Sequence, residues 1–327
     1  MKQITQKLEV MEENNKKKIT DLPFHIEGSL KKLFIGADEI KNKDYDSIEF
    51  LVDKLIPQGT LCALVGESET GKSSLLRQLA LSIVYGDDDF LGFKLKESCR
   101  NVIYVSTEDG EMATSVWLNK YFGEDIAKDD RLSKLKYVYN TEGIIKNLRE
   151  VVSTNCVDLI IIDSYADLFT GSMNNSNEVR SFLNMYNNIA NEFGVTVVFL
   201  HHTKKASAGM VPNKNSILGS QGFEAKMRSV LMLTQDDSDE SLRHLCIVKN
   251  NYLPESEKSM SYVLRLNEHL AFDNTGDRVK LNDLALEDWI EDAKKMKEDG
   301  MSYREISDKL LKKGYSVSKS SVLRKLN

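Results

Sequence analysis

The chain has 327 residues, 41% hydrophobic and 29% charged, enough length to bury a substantial core. Its net charge of −6 excludes a protein that coats nucleic acid over its whole surface. No apolar run approaches the roughly 18 to 20 residues that cross a bilayer, and residues 1–20 carry no apolar leader, so the expectation is a cytoplasmic protein with no membrane partner.

Cys62, Cys99, Cys156 and Cys246 lie far apart, and three of them sit in or beside apolar runs. Buried, reduced thiols are therefore expected, with no disulfide framework and no zinc site. His201 and His202 are adjacent and the other three histidines are scattered, which gives no metal-ligand spacing.

In chain order, residues 1–34 are polar and read as an arm. Residues 35–55 alternate apolar positions and end in the turn signal Ile56-Pro57-Gln58-Gly59-Thr60. Strand-like runs follow at 61–65, 101–106, 159–162, 195–200, 229–233 and 245–249, and helical patterns lie between them at 73–84, 112–121, 144–154 and 178–193. Near-continuous apolar strands separated by amphipathic helices imply an α/β fold with a mainly parallel twisted sheet covered on both faces. A hairpin or loop at 236–241 and two further strand candidates within 258–272 lead to an expected end of the body near Thr275-Gly276. Three helical segments complete the chain at 286–298, 302–313 and 318–326, separated by Gly300 and Gly314. The expected domains are thus an arm (1–34), an α/β body (35–283) and a helical C-terminal segment (284–327).

The stretch Gly66-Glu67-Ser68-Glu69-Thr70-Gly71-Lys72-Ser73 fills every defined position of G-x-x-x-x-G-K-[ST], directly after one apolar strand and before a helix. Glycines let the loop amides turn toward one point, where the helix N-terminus adds partial positive charge, and a phosphate is the natural occupant. Gly66 to Ser74 are therefore the candidate ATP contacts. Lys72 would reach the β- and γ-phosphates, and the Ser73 hydroxyl would hold Mg²⁺. The run Asp158-Leu-Ile-Ile-Ile-Asp163 ends a strand in a second carboxylate for that metal, so Ser73 and Asp163 form the candidate metal pair. Another strand ends in Glu108-Asp109. Glu108 would polarise the attacking water, and Asp109 would either support it or cap the next helix. His201-His202 closes a further strand on the same edge; a histidine there would sense the γ-phosphate, and His202 is preferred.

In this order and spacing, Gly66 to Ser73, Glu108, Asp163 and His201-His202 resemble the RecA-type ATPase core. More narrowly they resemble the RepA-like hexameric replicative helicases of plasmids and mobile elements. Supporting stretches are 51–59, 80–93 and Gly219-Ser220, and the likeness covers about residues 35–275. The resemblance implies a homo-oligomeric ring, a hexamer, with ATP between subunits and an arginine acting on the neighbour's γ-phosphate. By position that arginine is Arg228, with Lys249 as second candidate. Lys249-Asn250-Asn251 departs from the related rings, many of which carry an arginine two residues after this lysine. The long basic stretch 204–223 corresponds to a loop facing the central channel, where Lys204, Lys205 and Lys214 would contact single-stranded DNA phosphates; a solvated flexible loop is the alternative.

From Lys294 to Asn327 there are ten Lys+Arg against four Asp+Glu, a net of +6, which leaves −12 for residues 1–293 of the total of −6. Ser302 and Glu305 form a capping box, residues 314–318 make a turn, and a second helix carries Ser320, Ser321, Arg324 and Lys325. This segment resembles a helix-turn-helix that would bind duplex DNA, with a packing module as the alternative. The expected activity is that of an ATP-driven DNA translocase or helicase in replication or maintenance of a plasmid, phage or mobile element, with any primase or initiator a separate chain. The alternatives are an ATP-switched DNA-binding regulator and a strand-exchange recombinase.

Overall fold

A computed structural model describes residues 34–43, 45–96, 99–123, 130–207, 209–236, 238–284, 288–313, 315, 317 and 319–326. The expected arm at 1–34 lies almost wholly outside them. So do Gly314, Ser318 and the side chains of Ser320, Ser321, Arg324 and Lys325. The chain divides into two compact units, Met1–Ser47 and Ile48–Asn327. In the first, a short helix, α1 (Ala37–Lys41), follows Gly36, and Phe34, Ile35, Ile40 and Tyr45 are exposed.

The second unit is built on a nine-stranded sheet. Two short pairs precede or flank it: β1 (Phe50–Val52) with β2 (Ile56–Pro57), and β4 (Asp89–Phe90) with β5 (Phe93–Lys94). The sheet strands are β3 (Leu61–Gly66), β6 (Val102–Ser106), β7 (Leu135–Val138), β8 (Leu159–Asp163), β9 (Thr196–His202), β10 (Ser229–Gln235), β11 (Leu242–Asn250), β12 (Met260–Leu266) and β13 (Phe272–Lys280). Their order is β13-β12-β11-β10-β3-β9-β8-β6-β7, parallel from β7 to β10 and antiparallel from β10 to β13.

The apolar runs of β3 and β8 are buried at every position because helices cover both faces. Side-chain alternation divides them: Cys62 and Leu64 join one core, and Leu61, Ala63 and Val65 the other. The first core takes α2 (Lys72–Tyr85) and the second takes α4 (Ile144–Thr154) and α6 (Ser176–Phe193), while α3 (Glu111–Phe122), α5 (Tyr165–Leu168) and α7 (Gln221–Lys226) fill the connections. The helices α8 (Asp288–Glu298), α9 (Tyr303–Lys312) and α10 (Lys319–Leu326) gather a small core of their own around Trp289, Ala293, Ile306, Leu310 and Val322. The capping box at Ser302 and Glu305 is formed.

Three expectations need correction. The body does not end near Thr275-Gly276: β13 runs through that pair to Lys280. Gly276 takes φ 84°, Thr275 Oγ1 donates to the Val263 carbonyl, and the register against β12 shifts, so the turn signal is absorbed as a bulge. The edge strand β7 carried too short an alternation to be recognised. Finally, Cys99 and Cys156 are not buried thiols but a disulfide, with Cα atoms 6.1 Å apart. They are 57 residues apart in sequence, yet they enter β6 and β8, which are neighbours in the sheet. Cys62 and Cys246 are buried free thiols, and burial pushes Cys62 up to about 12.

Candidate active site

The phosphate loop leaves β3 at Gly66 and enters α2 at Lys72. A side chain at Gly66 would meet the Leu233 carbonyl at 2.4 Å, so the neighbouring strand β10 enforces glycine there. Gly71 takes φ +90°, and its Cβ would stand 2.8 Å from Phe272 of β13. Within the loop Thr70 Oγ1 donates to the Glu67 carbonyl at 3.0 Å, while Glu67, Ser68 and Glu69 are exposed. Lys72 is buried and its Nζ donates to the same Glu67 carbonyl, a contact that a phosphate would replace. Burial lowers the Lys72 pKa, opposed by the charges of Asp163, Glu108 and Glu67. Ser74 Oγ accepts from Trp117 Nε1 at 3.2 Å and so is engaged with α3.

Asp163 ends β8 one strand removed from the loop strand, with β9 between them. It is 2% exposed, and burial raises its pKa, held back by hydrogen bonds from Tyr104 and Ser73 and by the charge of Arg77. Tyr104 donates to Oδ2 at 2.6 Å, whereas Oδ1 is buried with no hydrogen-bond partner. A carboxylate oxygen left orphaned beside a serine hydroxyl fits a magnesium ion with oxygen ligands. Ser73 and Asp163 would hold that ion.

Glu108 is exposed at the end of β6, and its Oε1 lies 4.0 Å from His202 Nε2 on β9. The two histidines point to opposite sides of the strand, as alternation requires. His201 is buried among Tyr165 and Phe223, each 4.8 Å away ring to ring, with Nε2 3.1 Å from the Leu218 carbonyl. Burial pushes its pKa down to about 4. His202 is half-buried; burial lowers its pKa, the Lys72 charge adds to that, and Glu108, Asp163 and Asp167 oppose it. The site thus holds His202, not His201. Asp109 does not cap α3, whose cap residue Gly110 has no side-chain bond; it pairs with the buried Arg77 at 2.6 Å.

The loop after His202 is tied to the phosphate loop at its root. Thr203 N donates to the Gly66 carbonyl at 3.3 Å, and Leu218 N to the His202 carbonyl at 3.0 Å. A cavity of about 360 Å³ lies between the two loops, lined by Gly66, Glu67, Thr203, Ser207 and Asp236 among others. Lys204 is exposed with Nζ on the Asn215 carbonyl at 2.8 Å, Lys205 is exposed, and Lys214 lies 3.9 Å from Glu224. Arg228 is exposed, and its amide bonds the Leu61 carbonyl at 2.8 Å, at the start of β3. That is five residue rises, roughly 16 Å, from the phosphate loop, so Arg228 cannot reach its own subunit's nucleotide. Lys249 lies at the same end and is paired with Glu224 at 2.8 Å.

Sequence reasoning missed Arg77, Tyr104, Arg243 and Phe272. Arg77 and Tyr104 sit inside apolar helix and strand patterns. Arg243 and Phe272 come from the antiparallel strands, about 170 to 200 residues after the loop, and no local signal connects them to it. Arg243 is 5% exposed and donates from Nε to the Thr70 carbonyl at 3.0 Å. Gln78 of α2 makes a two-point bond with the Phe272 backbone, at 2.9 and 2.7 Å.

A strand, a phosphate loop and a helix, with an acidic strand end one strand away, are the nucleotide-binding apparatus of a P-loop ATPase. A family model described as AAA domain matches residues 34–208, more than half of the chain, and the chain belongs to that family. Among solved structures it is similar to the one described as the crystal structure of the RadB recombinase. The identity is 16% and the TM-score 0.47, covering 67% of this chain and 91% of that one. No curated protein matches it. Among the described residues, no helix is long and apolar enough to cross a membrane.

Proposed function

We propose that the chain is a RecA-type, DNA-dependent ATPase that assembles as a ring and translocates on single-stranded DNA in replication or maintenance of a plasmid, phage or mobile element. The observation that carries this reading is the joint at Thr203: this residue links His202 to the basic loop, and its amide is bonded to Gly66 of the phosphate loop. A change at the γ-phosphate would therefore be felt next to Lys204, the first of the proposed DNA contacts Lys204, Lys205 and Lys214.

In this reading Lys72 holds the β- and γ-phosphates and Glu108 orients the attacking water. His202, within reach of Glu108, hydrogen-bonds the γ-phosphate. Magnesium bound by Ser73 and Asp163 would supply charge neutralisation on the phosphates. Because Arg228 stands at the far end of β3, it would act on a neighbour's nucleotide, which favours the ring, as in the hexameric helicases that the sequence resembles.

A second reading, an ATP-switched DNA-binding regulator, is favoured by the separate core of α8 to α10, which is suited to presenting a helix to duplex DNA. A forked duplex supplied with ATP and Mg²⁺ decides between them. The translocase separates the strands, and Lys204, Lys205 and Lys214 changed together to Ala block separation more than basal hydrolysis. An assembled protein that hydrolyses ATP on DNA yet never separates strands supports the switch, and pairing of homologous strands without unwinding supports a recombinase. Mixing Arg228→Ala with Lys72→Ala subunits tests the ring. Some mixed junctions are intact, so activity returns; no recovery in mixed assemblies excludes an arginine acting across subunits.

A further inference from the structure

At the edge of the sheet opposite the phosphate loop, Cys99 leads into β6 and Cys156 into β8, and their sulfurs are bonded. Asp158, 5% exposed, places Oδ2 3.4 Å from Cys99 Sγ and accepts the Arg100 amide at 2.6 Å. The two residues differ in exposure: Cys156 is exposed and Cys99 half-buried. The remaining cysteines, Cys62 and Cys246, are 2% and 0% exposed. Burial raises the pKa of both, so neither offers a reactive thiolate.

We propose that Cys156 and Cys99 form a reversible thiol–disulfide site for low-molecular-weight monothiols and their disulfides, with Cys156 as the entry sulfur and Cys99 as the resolving one. In the reducing direction an external thiolate attacks the exposed Cys156 Sγ. The bond between the two cysteine sulfurs breaks, a mixed disulfide forms on Cys156, and Cys99 leaves and takes up a proton. The negative charge of Asp158 favours the neutral thiol at Cys99, which then donates to Oδ2. A second monothiol releases Cys156 as a thiol. The overall balance is one protein disulfide and two monothiols giving two protein thiols and one small disulfide. Oxidation is the reverse, in which Cys99 resolves the adduct.

The crosslink has a place to act. Arg100, next to Cys99, lays its guanidinium against Gly86, where an added Cβ would meet Cζ at 2.3 Å, and Gly86 caps the C-terminal end of α2. Glu108 and Asp163 stand at the other ends of β6 and β8. The oxidised and reduced forms should therefore differ in stability more than in turnover.

The test uses the full chain in glutathione buffers of graded redox poise, followed by peptide mapping without reductant. A Cys99–Cys156 linked peptide is expected to appear and disappear reversibly, while Cys62 and Cys246 stay free. Cys99→Ser should trap a stable glutathione adduct on Cys156, and Cys156→Ser should leave Cys99 adducted at least fivefold more slowly. The oxidised wild type should melt several degrees above the reduced form, a shift absent from the double serine variant. Failure of the linked peptide to form in folded wild type overturns the proposal without calling on any variant. Equal adduct rates at the two sulfurs overturn the assignment of Cys156 as the entry.

Discussion

The guanidinium of Arg243 donates to the carbonyl of Thr70 at 3.0 Å, joining the second antiparallel-run strand, β11, to the middle of the phosphate loop. Its other bonds go to the carbonyls of Glu240 and Leu242, at 2.7 and 2.8 Å. Burial lowers its pKa, with the charge of Glu240 opposing. An arginine buried among carbonyls holds backbone in place: it fixes the Thr70 peptide and, with it, the direction of the loop amides. Arg243→Ala should raise the KM for ATP about tenfold, the equivalent of one charge-assisted hydrogen bond, with kcat changed much less. Melting of the nucleotide-free protein separates this from general damage, because the ATP-induced rise in Tm should shrink more than the nucleotide-free Tm falls. An unchanged KM would reduce Arg243 to a packing residue.

Glu108 and Asp109 are adjacent but differently engaged, and their variants should part accordingly. Glu108→Gln should retain ATP while slowing turnover by about 10² or more, since only the group facing His202 and the attacking water is altered. Asp109→Asn weakens a pair with Arg77 that is half-exposed on the carboxylate side, so a loss of about 1 kcal/mol in stability and turnover within a few fold are expected. Lys72→Ala should abolish turnover. The reverse pattern, with Asp109 essential and Glu108 dispensable, would move the water-activating role by one residue.

Tyr104→Phe removes the donor from Asp163 Oδ2 and leaves the ring packing intact. Residues that hold a metal-ligating carboxylate typically influence metal affinity by about 10- to 100-fold. The Mg²⁺ concentration for half-maximal ATPase should rise roughly tenfold at saturating ATP. If Asp163→Asn abolishes activity while Tyr104→Phe leaves the Mg²⁺ dependence untouched, the hydrogen bond has no part in positioning the ligand.

His201 sets a pH dependence of stability. It is buried neutral, and its pKa falls from the ordinary 6.5 to about 4 in the folded chain. Below 6.5 the unfolded chain binds a proton that the folded chain refuses, so stability is fully present above 6.5 and is lost as pH falls toward 4. The full loss is about 3 kcal/mol at 1.36 kcal/mol per unit. Urea unfolding at intervals from pH 7.5 to 4 should show this slope, and His201→Gln should flatten it. A variant with the same slope would place the titration elsewhere.

Most of the parallel body was legible because its strands are apolar at every position and its helices keep a 3.6-residue period; β8 and α4 match the expected ranges to within a residue. The residues of the phosphate loop and Asp163 were legible for a different reason: their chemistry fixes their spacing. What could not be read were contacts whose partners are far apart in sequence. Nothing local tells Gly71 that Phe272 will lie over it, or Cys99 that Cys156 enters the adjoining strand. Strand alternation places the side chains of His201 and His202 on opposite faces of the sheet, and which of them lies beside Glu108 depends on the exact register of β9.

Phe272 and Arg243 lie well beyond residue 208, where the family match stops, and so does β10, which walls Gly66 and pairs with β3 along its length. A fragment ending at that boundary would turn the innermost strand of the sheet into an open edge, its row of amides and carbonyls bare and its apolar faces half uncovered, a template for association with other chains. The packing around the phosphate loop therefore extends through β13. The region of recognisable ancestry and the unit that folds are different lengths of the same polypeptide.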